Sequence, residues 1–229
     1  MIIVTCVLTG TKYTEEDVYR LRDNVYEHLS LPHRFICLSD RDIRQCETVL
    51  IEEPFCSPWD KMFLFQPGML PEGPKLYFDL DVIIEKNIDN LVRNKLTAVR
   101  CYWKTPHNDP LSTNPYFRHD TDLNTSVMSW TEDNSVIWGM FDFDPDFNII
   151  EFGGTDRFMF YYFGFDAYEK GLIYSRAHGI DKGIEPNDNV EGMCAFKDSN
   201  ASVCLYNGKG KDIMRVDLRK TFPISTCQE

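Results

Sequence analysis

The sequence predicts an α/β fold in which a mixed, mostly parallel central sheet is flanked by helices. Three features support this prediction: an apolar run at the start, a helical repeat after it, and a second apolar run, KLYFDLDVIIEK, over residues 75–86. Short apolar runs bounded by turn residues are typical of strands that are buried on both faces, as in parallel sheets. A chain of 229 residues is long enough to form one domain with a substantial core.

The first part of the chain is predicted to form a β-α-β-β unit of Rossmann-like character. Strands are expected over Met1–Leu8, Arg34–Leu38 and Thr48–Ile51, which are rich in β-branched and apolar residues. Between the first two strands, apolar residues recur at helical spacing from Val18 to Leu29. The sequence contains no G-x-G-x-x-G motif, so the dinucleotide-binding fingerprint is absent.

The rest of the chain also alternates between strand-like and helical segments. Residues 104–122 are rich in Pro, Asn and Asp without periodicity, which predicts a mobile loop near the site. Helices are predicted over Trp59–Phe65, Ser135–Met140 and Thr155–Phe165, and strands over Thr97–Trp103, Asn124–Trp130, Gly171–Tyr174 and Val203–Tyr206.

Composition and charge exclude several classes of partner. The formal net charge of −12 and the pI near 4.9 argue against nucleic acid or an anionic membrane as the main partner. An anionic substrate would therefore need a locally basic pocket. The eight cysteines form no C-x-x-C pair, which favours reduced thiols and a cytoplasmic protein. No apolar stretch is long enough for a membrane span, so no transmembrane segment is expected.

Two carboxylates, Asp79 and Asp81, interrupt the apolar run of residues 75–86. Buried carboxylates are costly unless a partner compensates their charge. The run is predicted to form one buried central strand, in which both carboxylates would point to the same face, about 7 Å apart. Oxygen ligands in this arrangement suit Mg²⁺ or Mn²⁺, which usually share their coordination shell with a substrate's phosphates. The triplet alone is also compatible with aspartates that merely end a strand.

Basic and polar residues elsewhere are further candidates for a site. Lys209 and Lys211 lie in the turn NGKGKD, where lysines and glycine backbone amides could bind a diphosphate, although a solvated turn has the same composition. Lys61 is an isolated base within an aromatic helix, where a surface lysine is the alternative. Asn124 begins a strand, and Asp156 lies at the start of a helix.

Together, the order and spacing of these motifs resemble the nucleotide-sugar glycosyltransferases of the GT-A fold. The resemblance is to the glycogenin-like family eight and to the short bacterial and viral enzymes related to it. The matching features are the β-α-β start, LYFDLDVII, NTSVMSW, GTDRF and CLYNGKGKD, which together cover most of the chain. The resemblance implies one glycosyltransferase domain over residues 1–229, with a nucleotide-binding half (1–100) and an acceptor and sugar half (101–229).

The resemblance also implies which residues bind the metal and the diphosphate. Asp79 and Asp81 would hold Mn²⁺ or Mg²⁺ against the donor diphosphate, and Asp79 would also lie near the ribose. The third ligand in the family is usually a His, and Asn207 stands at that position in this sequence. An Asn amide oxygen can bind a hard cation, but more weakly. Lys209 and Lys211 would contact the phosphates.

The remaining implied contacts are with the nucleotide and the sugar. Asn124 and Asp156 would touch the donor sugar near its anomeric carbon, which makes them the candidate catalytic residues. The residues implied for the nucleotide are Thr9, Lys12, Tyr13 and Lys61.

The implied activity is metal-dependent transfer of a hexose from a nucleotide-diphosphate donor to a glycan or other small acceptor. UDP is the expected nucleotide, GDP is the alternative, and retention of anomeric configuration is expected. Breaking the sugar–phosphate bond leaves negative charge on the phosphate, which a cation and lysines stabilise.

Two other functions compete with sugar transfer. One is a haloacid-dehalogenase-like phosphatase. The D-x-D motif of that class usually has Thr or Val at the position where this sequence has Ile83. The other is a non-catalytic protein that binds carbohydrate or nucleotide.

Overall fold

The computed structural model describes residues 1–100, 121, 123–175 and 201–206. The strands are β1 (Ile2–Leu8), β2 (His33–Ser39), β3 (Glu47–Leu50), β4 (Lys75–Phe78), β5 (Val82–Ile84), β6 (Thr97–Arg100), β7 (Leu123–Trp130), β8 (Asp166–Ala167), β9 (Ile173–Ser175) and β10 (Val203–Leu205). The α-helices are α1 (Glu15–His28), α2 (Ser135–Phe143), α3 (Pro145–Phe152) and α4 (Thr155–Tyr162). Two 3-10 helices span Pro58–Phe65 and Asp89–Leu91.

The predicted α/β fold with a mixed, mostly parallel sheet is confirmed. A seven-stranded sheet has the order β3-β2-β1-β4-β7-β6-β8. The strands β1 to β4 run parallel to one another, β8 runs parallel to β6, and β7 runs antiparallel to both of its neighbours. A second, three-stranded sheet has the order β5-β10-β9. The predicted β-α-β-β start is present as β1, α1, β2 and β3.

The prediction of one continuous strand over residues 75–86 is wrong. β4 ends at Phe78, and β5 begins at Val82 and pairs with β10 in the second sheet. Asp79 and Asp81 therefore lie in a turn, called here the D-x-D turn (residues 79–81), rather than on one face of a strand. A turn at the edge of the sheet gives each carboxylate access to hydrogen-bond donors, which a position inside the sheet would not supply.

Other predicted elements are confirmed with shifted ends, and one helix was missed. Residues 145–152 form α3, which the sequence analysis did not predict. The helix predicted over 155–165 ends at Tyr162, because Phe163 has an extended backbone. The loop expected over 104–122, apart from Thr121, and the turn NGKGKD lie outside the described residues, as does the end of the strand expected over 97–103.

The seven-stranded sheet separates two hydrophobic cores. Side chains of β1 alternate between them, as the pleat of a strand requires: Val4 and Cys6 face one core, and Ile3 faces the other. The first core is mostly aliphatic and includes the apolar face of α1. The second core is rich in aromatic side chains from the 3-10 helix at 58–65 and from α2, α3 and α4. Both cores therefore pack against the strands whose carboxyl ends border the site.

Two further findings concern cysteines and helix length. Within the described ranges, the cysteines at 6, 37, 46, 56 and 204 are not joined by disulfide bonds. Among the helices of the described residues, none is long and apolar enough to cross a lipid bilayer.

Candidate functional site

Two adjoining cavities open at the carboxyl ends of β1 and β4, and the D-x-D turn borders both. The first has a volume of about 170 Å³, and the second has a volume of about 330 Å³. Both cavities are lined by Lys12, Lys61, Asp79 and Asp81. Thr9 and Tyr13 line the first cavity only. Asn124, Asp156 and Arg157 line the second only.

The structure thus brings together every candidate site residue that lies in its described ranges. They are Thr9, Lys12, Tyr13, Lys61, Asp79, Asp81, Asn124 and Asp156. The other three candidates, Asn207, Lys209 and Lys211, lie outside the described residues.

The loop after β1, which contributes Thr9 and Tyr13, is held by two carboxylates that the sequence analysis missed. The buried Asp60 accepts hydrogen bonds from the Thr9 hydroxyl at 2.6 Å and from the backbone amide of Ser57 at 3.1 Å. Asp40 accepts a bond of 2.8 Å from the amide of Gly10, whose φ of 63° favours glycine. The spacing of Ser57 and Asp60 is that of a capping box, a signal that could have identified Asp60.

Lys61 is a buried cation and not a surface lysine. Its side chain is 9% exposed, and its Nζ lies 2.9 Å from a carboxylate oxygen of Asp79. The Nζ also donates a hydrogen bond of 2.9 Å to the hydroxyl of Thr125. A lysine in this position is stable because its charge is paired and its protons have acceptors. The sequence analysis proposed Lys61 as a candidate for the site but did not indicate Thr125 as its partner.

Thr125 connects Lys61 to Asp156. The Thr125 amide donates a hydrogen bond of 3.0 Å to Asp156 Oδ1, and its hydroxyl donates a bond of 2.5 Å to the same oxygen. Asp79, Lys61, Thr125 and Asp156 therefore form a continuous chain of contacts, which we call the polar chain. This chain runs from the D-x-D turn to the first turn of α4 and fixes two carboxylates relative to each other.

Asn124 precedes this threonine on β7 and is buried beside the second cavity. Its Oδ1 accepts a hydrogen bond of 3.0 Å from the amide of Ser126. Because the bond fixes the carboxamide, the side chain has a defined orientation at the cavity wall.

Asp81 is almost fully buried, and this burial together with the charge of Asp79 disfavours its ionised form. Its side chain accepts a hydrogen bond of 2.9 Å from the hydroxyl of Tyr13. Burial, and secondly the charge of Asp79, raise the pKa of Asp81 above its ordinary value. Burial and the charge of Asp81 likewise raise the pKa of Tyr13, which stays a neutral hydrogen-bond donor. The two carboxylates repel each other beside cavities that they share. A divalent cation bound between them would stabilise this arrangement.

The residues of the D-x-D turn fit a hard divalent cation that keeps part of its shell for water and substrate. Asp79 and Asp81 supply oxygen ligands, and both border the two cavities. Within residues 1–100, 121, 123–175 and 201–206, no group of three or more His, Cys, Asp or Glu side chains could form a complete protein cage. Mg²⁺ and Mn²⁺ do not require such a cage, because phosphate oxygens and waters complete their coordination.

Comparison with known proteins identifies the fold. No protein-family model matches the sequence, and no curated protein matches it. The crystal structure of the galactosyltransferase LgtC in complex with donor and acceptor sugar analogs has a TM-score of 0.63 at 12% identity, over 100% of this chain and 98% of that chain. An active-site mutant of LgtC has a TM-score of 0.59 at 11% identity, covering 91% and 88% of the two chains.

A third similar structure is the glycosyltransferase GlyE from Streptococcus pneumoniae TIGR4. Its TM-score is 0.56 at 10% identity, over 91% of this chain and 56% of GlyE. At these identities the likeness shows the fold alone. The chain has a GT-A-type glycosyltransferase fold, as the sequence motifs indicated.

Proposed function

We propose that this chain is a metal-dependent glycosyltransferase. It moves a hexose from a nucleotide-diphosphate donor, with UDP as the expected nucleotide, to a glycan or other small acceptor, and it retains the anomeric configuration. The observation that supports this most is the convergence of Asp79, Asp81, Lys61 and Asp156 around two cavities that share the D-x-D turn. The LgtC complex, which holds donor and acceptor sugar analogs on a similar fold, supports the same division into two subsites.

The first cavity is the proposed nucleotide subsite. Thr9 and Tyr13 come from the loop after β1, and Asp60 and Asp40 keep that loop fixed. The Tyr13 hydroxyl is bonded to Asp81, so its ring is held at the cavity wall, where an aromatic face suits a nucleobase or ribose. Lys12 lies at 4.8 Å from the centre of this ring and borders both cavities, where its charge would attract a diphosphate.

The second cavity is the proposed site of the transferred sugar and its acceptor. Asn124 offers an amide for sugar hydroxyls. Asp156 keeps one carboxylate oxygen on Thr125, which orients the group without neutralising it. A fixed carboxylate there would stabilise positive charge at the anomeric carbon or hold the acceptor hydroxyl.

The D-x-D turn also indicates where the cation and the diphosphate of the donor would bind. A bound Mn²⁺ or Mg²⁺ supplies Lewis-acid stabilisation of the leaving diphosphate. Asp79 and Asp81 would hold that ion, and Asn207 is the proposed third ligand. Lys209 and Lys211 are the proposed phosphate contacts. They would supply the local positive charge that an anionic donor needs on a protein with a net charge of −12.

Release of nucleoside diphosphate tests this proposal. Purified protein is incubated with a panel of UDP- and GDP-sugars in Mn²⁺, Mg²⁺ or EDTA, because slow transfer to water reports donor use without a known acceptor. We expect release from one donor that disappears with EDTA and in Asp81→Asn but persists in Asp146→Asn, which changes an exposed aspartate of α3. NMR of the released sugar then reports whether its anomeric configuration is retained.

The same assay separates the competing functions. Inorganic phosphate as the released product would indicate a phosphatase. Metal-dependent nucleotide binding without any release would indicate a binding protein. The proposal would be contradicted if the protein showed no release of nucleoside diphosphate and no nucleotide binding with any donor of the panel.

A further inference from the structure

Arg20 on α1 reaches the backbone of the D-x-D turn. Its Nη1 donates a hydrogen bond of 2.9 Å to the carbonyl oxygen of Val82, and its Nη2 donates one to the carbonyl oxygen of Leu80. These two carbonyls belong to the residues on either side of Asp81. The planar guanidinium therefore spans the backbone segment that orients the Asp81 side chain.

The backbone around Asp81 lies between the two sheets, where few ladder hydrogen bonds hold it. Between Phe78 and Val82, the chain leaves the seven-stranded sheet and enters the three-stranded one. In the interval, the Asp79 amide donates to Ser126, and the Asp81 carbonyl accepts a bond of 3.0 Å from the amide of Tyr206. The Leu80 carbonyl lies in the turn, outside both ladders, and Arg20 satisfies it.

Arg20 also leaves the carboxylates available. Among the described residues, its guanidinium forms no ion pair with an aspartate or glutamate, although Asp17 and Asp81 are near enough to favour its charge. Its Nε is buried and has no hydrogen-bond partner among the described residues. This half-buried arginine therefore holds backbone oxygens and does not occupy a side-chain oxygen that a cation would use.

We infer that Arg20 is a positioning residue that fixes Asp81 in the orientation required to bind the divalent cation. The inference rests on the proposed function. Groups that orient metal ligands from behind commonly change metal affinity by about ten- to a hundredfold when they are removed. Arg20 would have this role through the backbone, while Tyr13 orients the Asp81 side chain directly.

The test measures Mn²⁺ affinity by titration calorimetry in the presence of UDP. Thermal unfolding of the same proteins in EDTA separates a loss of affinity from a loss of stability. We expect Arg20→Gln to weaken Mn²⁺ binding by about tenfold or more. Arg20→Lys keeps the charge, but one ammonium cannot reproduce the fork on two carbonyls, so we expect a smaller loss.

Arg22→Gln is the matched control. Arg22 lies on the same helix and also donates to a backbone carbonyl, that of Gln45, away from the D-x-D turn. We expect its variant to bind Mn²⁺ like the unmodified protein. Unchanged Mn²⁺ affinity in a folded Arg20→Gln or Arg20→Lys protein would overturn the inference alone. Failure of the unmodified protein to bind Mn²⁺ with UDP would overturn the proposed function, and the inference with it.

Discussion

The two faces of the seven-stranded sheet hold the D-x-D turn by different means. On the aliphatic face, Arg20 bonds the backbone beside Asp81, and Tyr13 bonds its carboxylate. On the aromatic face, the buried Lys61 pairs with Asp79 and continues through Thr125. Asp81 is therefore positioned by hydrogen bonds from neutral or backbone-directed partners, whereas Asp79 is held by a buried opposite charge in addition to the neutral hydroxyl of Tyr77.

This difference indicates how the site can fix the positions of both carboxylates and still leave carboxylate oxygens available to bind a cation. Asp79 is directly paired with a cation, whereas Asp81 is in direct contact only with neutral groups, and Lys12 and Lys61 compensate its charge from a distance, so a bound cation would add the missing direct partner. The aromatic face also sets the position of Lys61, because the neighbouring Trp59 packs against Phe141 and Phe158 at centroid distances of 5.3 and 5.8 Å. The following substitutions test these dependences.

Removal of the central aromatic ring should have the largest effect on stability. Phe141 is fully buried and stacks on Trp59 with an interplanar angle of 10°. We expect Phe141→Ala to lower the free energy of unfolding by about 4 kcal/mol, because a large cavity replaces the ring. Phe143→Ala, on the same helix but at a side chain that is 89% exposed, is the control. Its change should stay within about 0.5 kcal/mol in urea unfolding, and equal losses would contradict this view of the aromatic core.

Loss of the buried cation should have the next largest effect. In EDTA, Lys61→Met should lower the free energy of unfolding by about 3 kcal/mol, because Asp79 keeps only the neutral Tyr77 hydroxyl as a side-chain partner and loses its opposite charge. Adding Asp79→Asn to that variant should restore part of the loss. Simple additivity of the two single changes would show that Lys61 and Asp79 do not depend on each other.

Removal of the Thr125 hydroxyl should have the smallest effect on stability and a distinct effect on turnover. Thr125→Val keeps the shape but deletes the bonds to Lys61 and Asp156, at a cost of about 1 kcal/mol. Donor turnover should fall because the backbone amide of residue 125 is then the remaining contact of this strand with Asp156, which orients the carboxylate less firmly. Thr131→Val removes a bond to the Arg93 carbonyl beyond the end of β7 and should leave turnover unchanged. A similar fall in both variants would remove the case for the polar chain.

Local sequence patterns were enough to predict much of the fold. The strands and the helix of the first part of the chain follow from apolar runs and helical spacing, and β7 follows from its own composition. The break between β4 and β5 does not, because the residues around Asp79 and Asp81 are apolar on both sides. That break depends on the pairing of Val82 with Leu205, which is far along the chain. α3 was missed although Pro145 stands at its first turn after the capping Asp144.

Sequence motifs were enough to select candidate residues that lie together in the described ranges, but not to predict the contacts that hold them. The D-x-D motif and Lys61 border both cavities, and Asn124 and Asp156 border the second one. Their supports depend on tertiary contacts that local patterns do not encode. Nothing in the helical repeat of α1 separates Arg20 from Arg22, yet only the former reaches the D-x-D turn in the part of the chain that the structure describes.

The central claim is that both faces of the sheet converge on one metal and nucleotide site. Crystals grown with Mn²⁺ and UDP, measured near the manganese absorption edge, test it most directly. We predict one anomalous difference peak, from a manganese ion that Asp79 and Asp81 bind. We also predict that the nucleotide lies in the cavity lined by Thr9 and Tyr13. A nucleotide bound elsewhere, or crystals with nucleotide but no manganese at the D-x-D turn, would contradict the account.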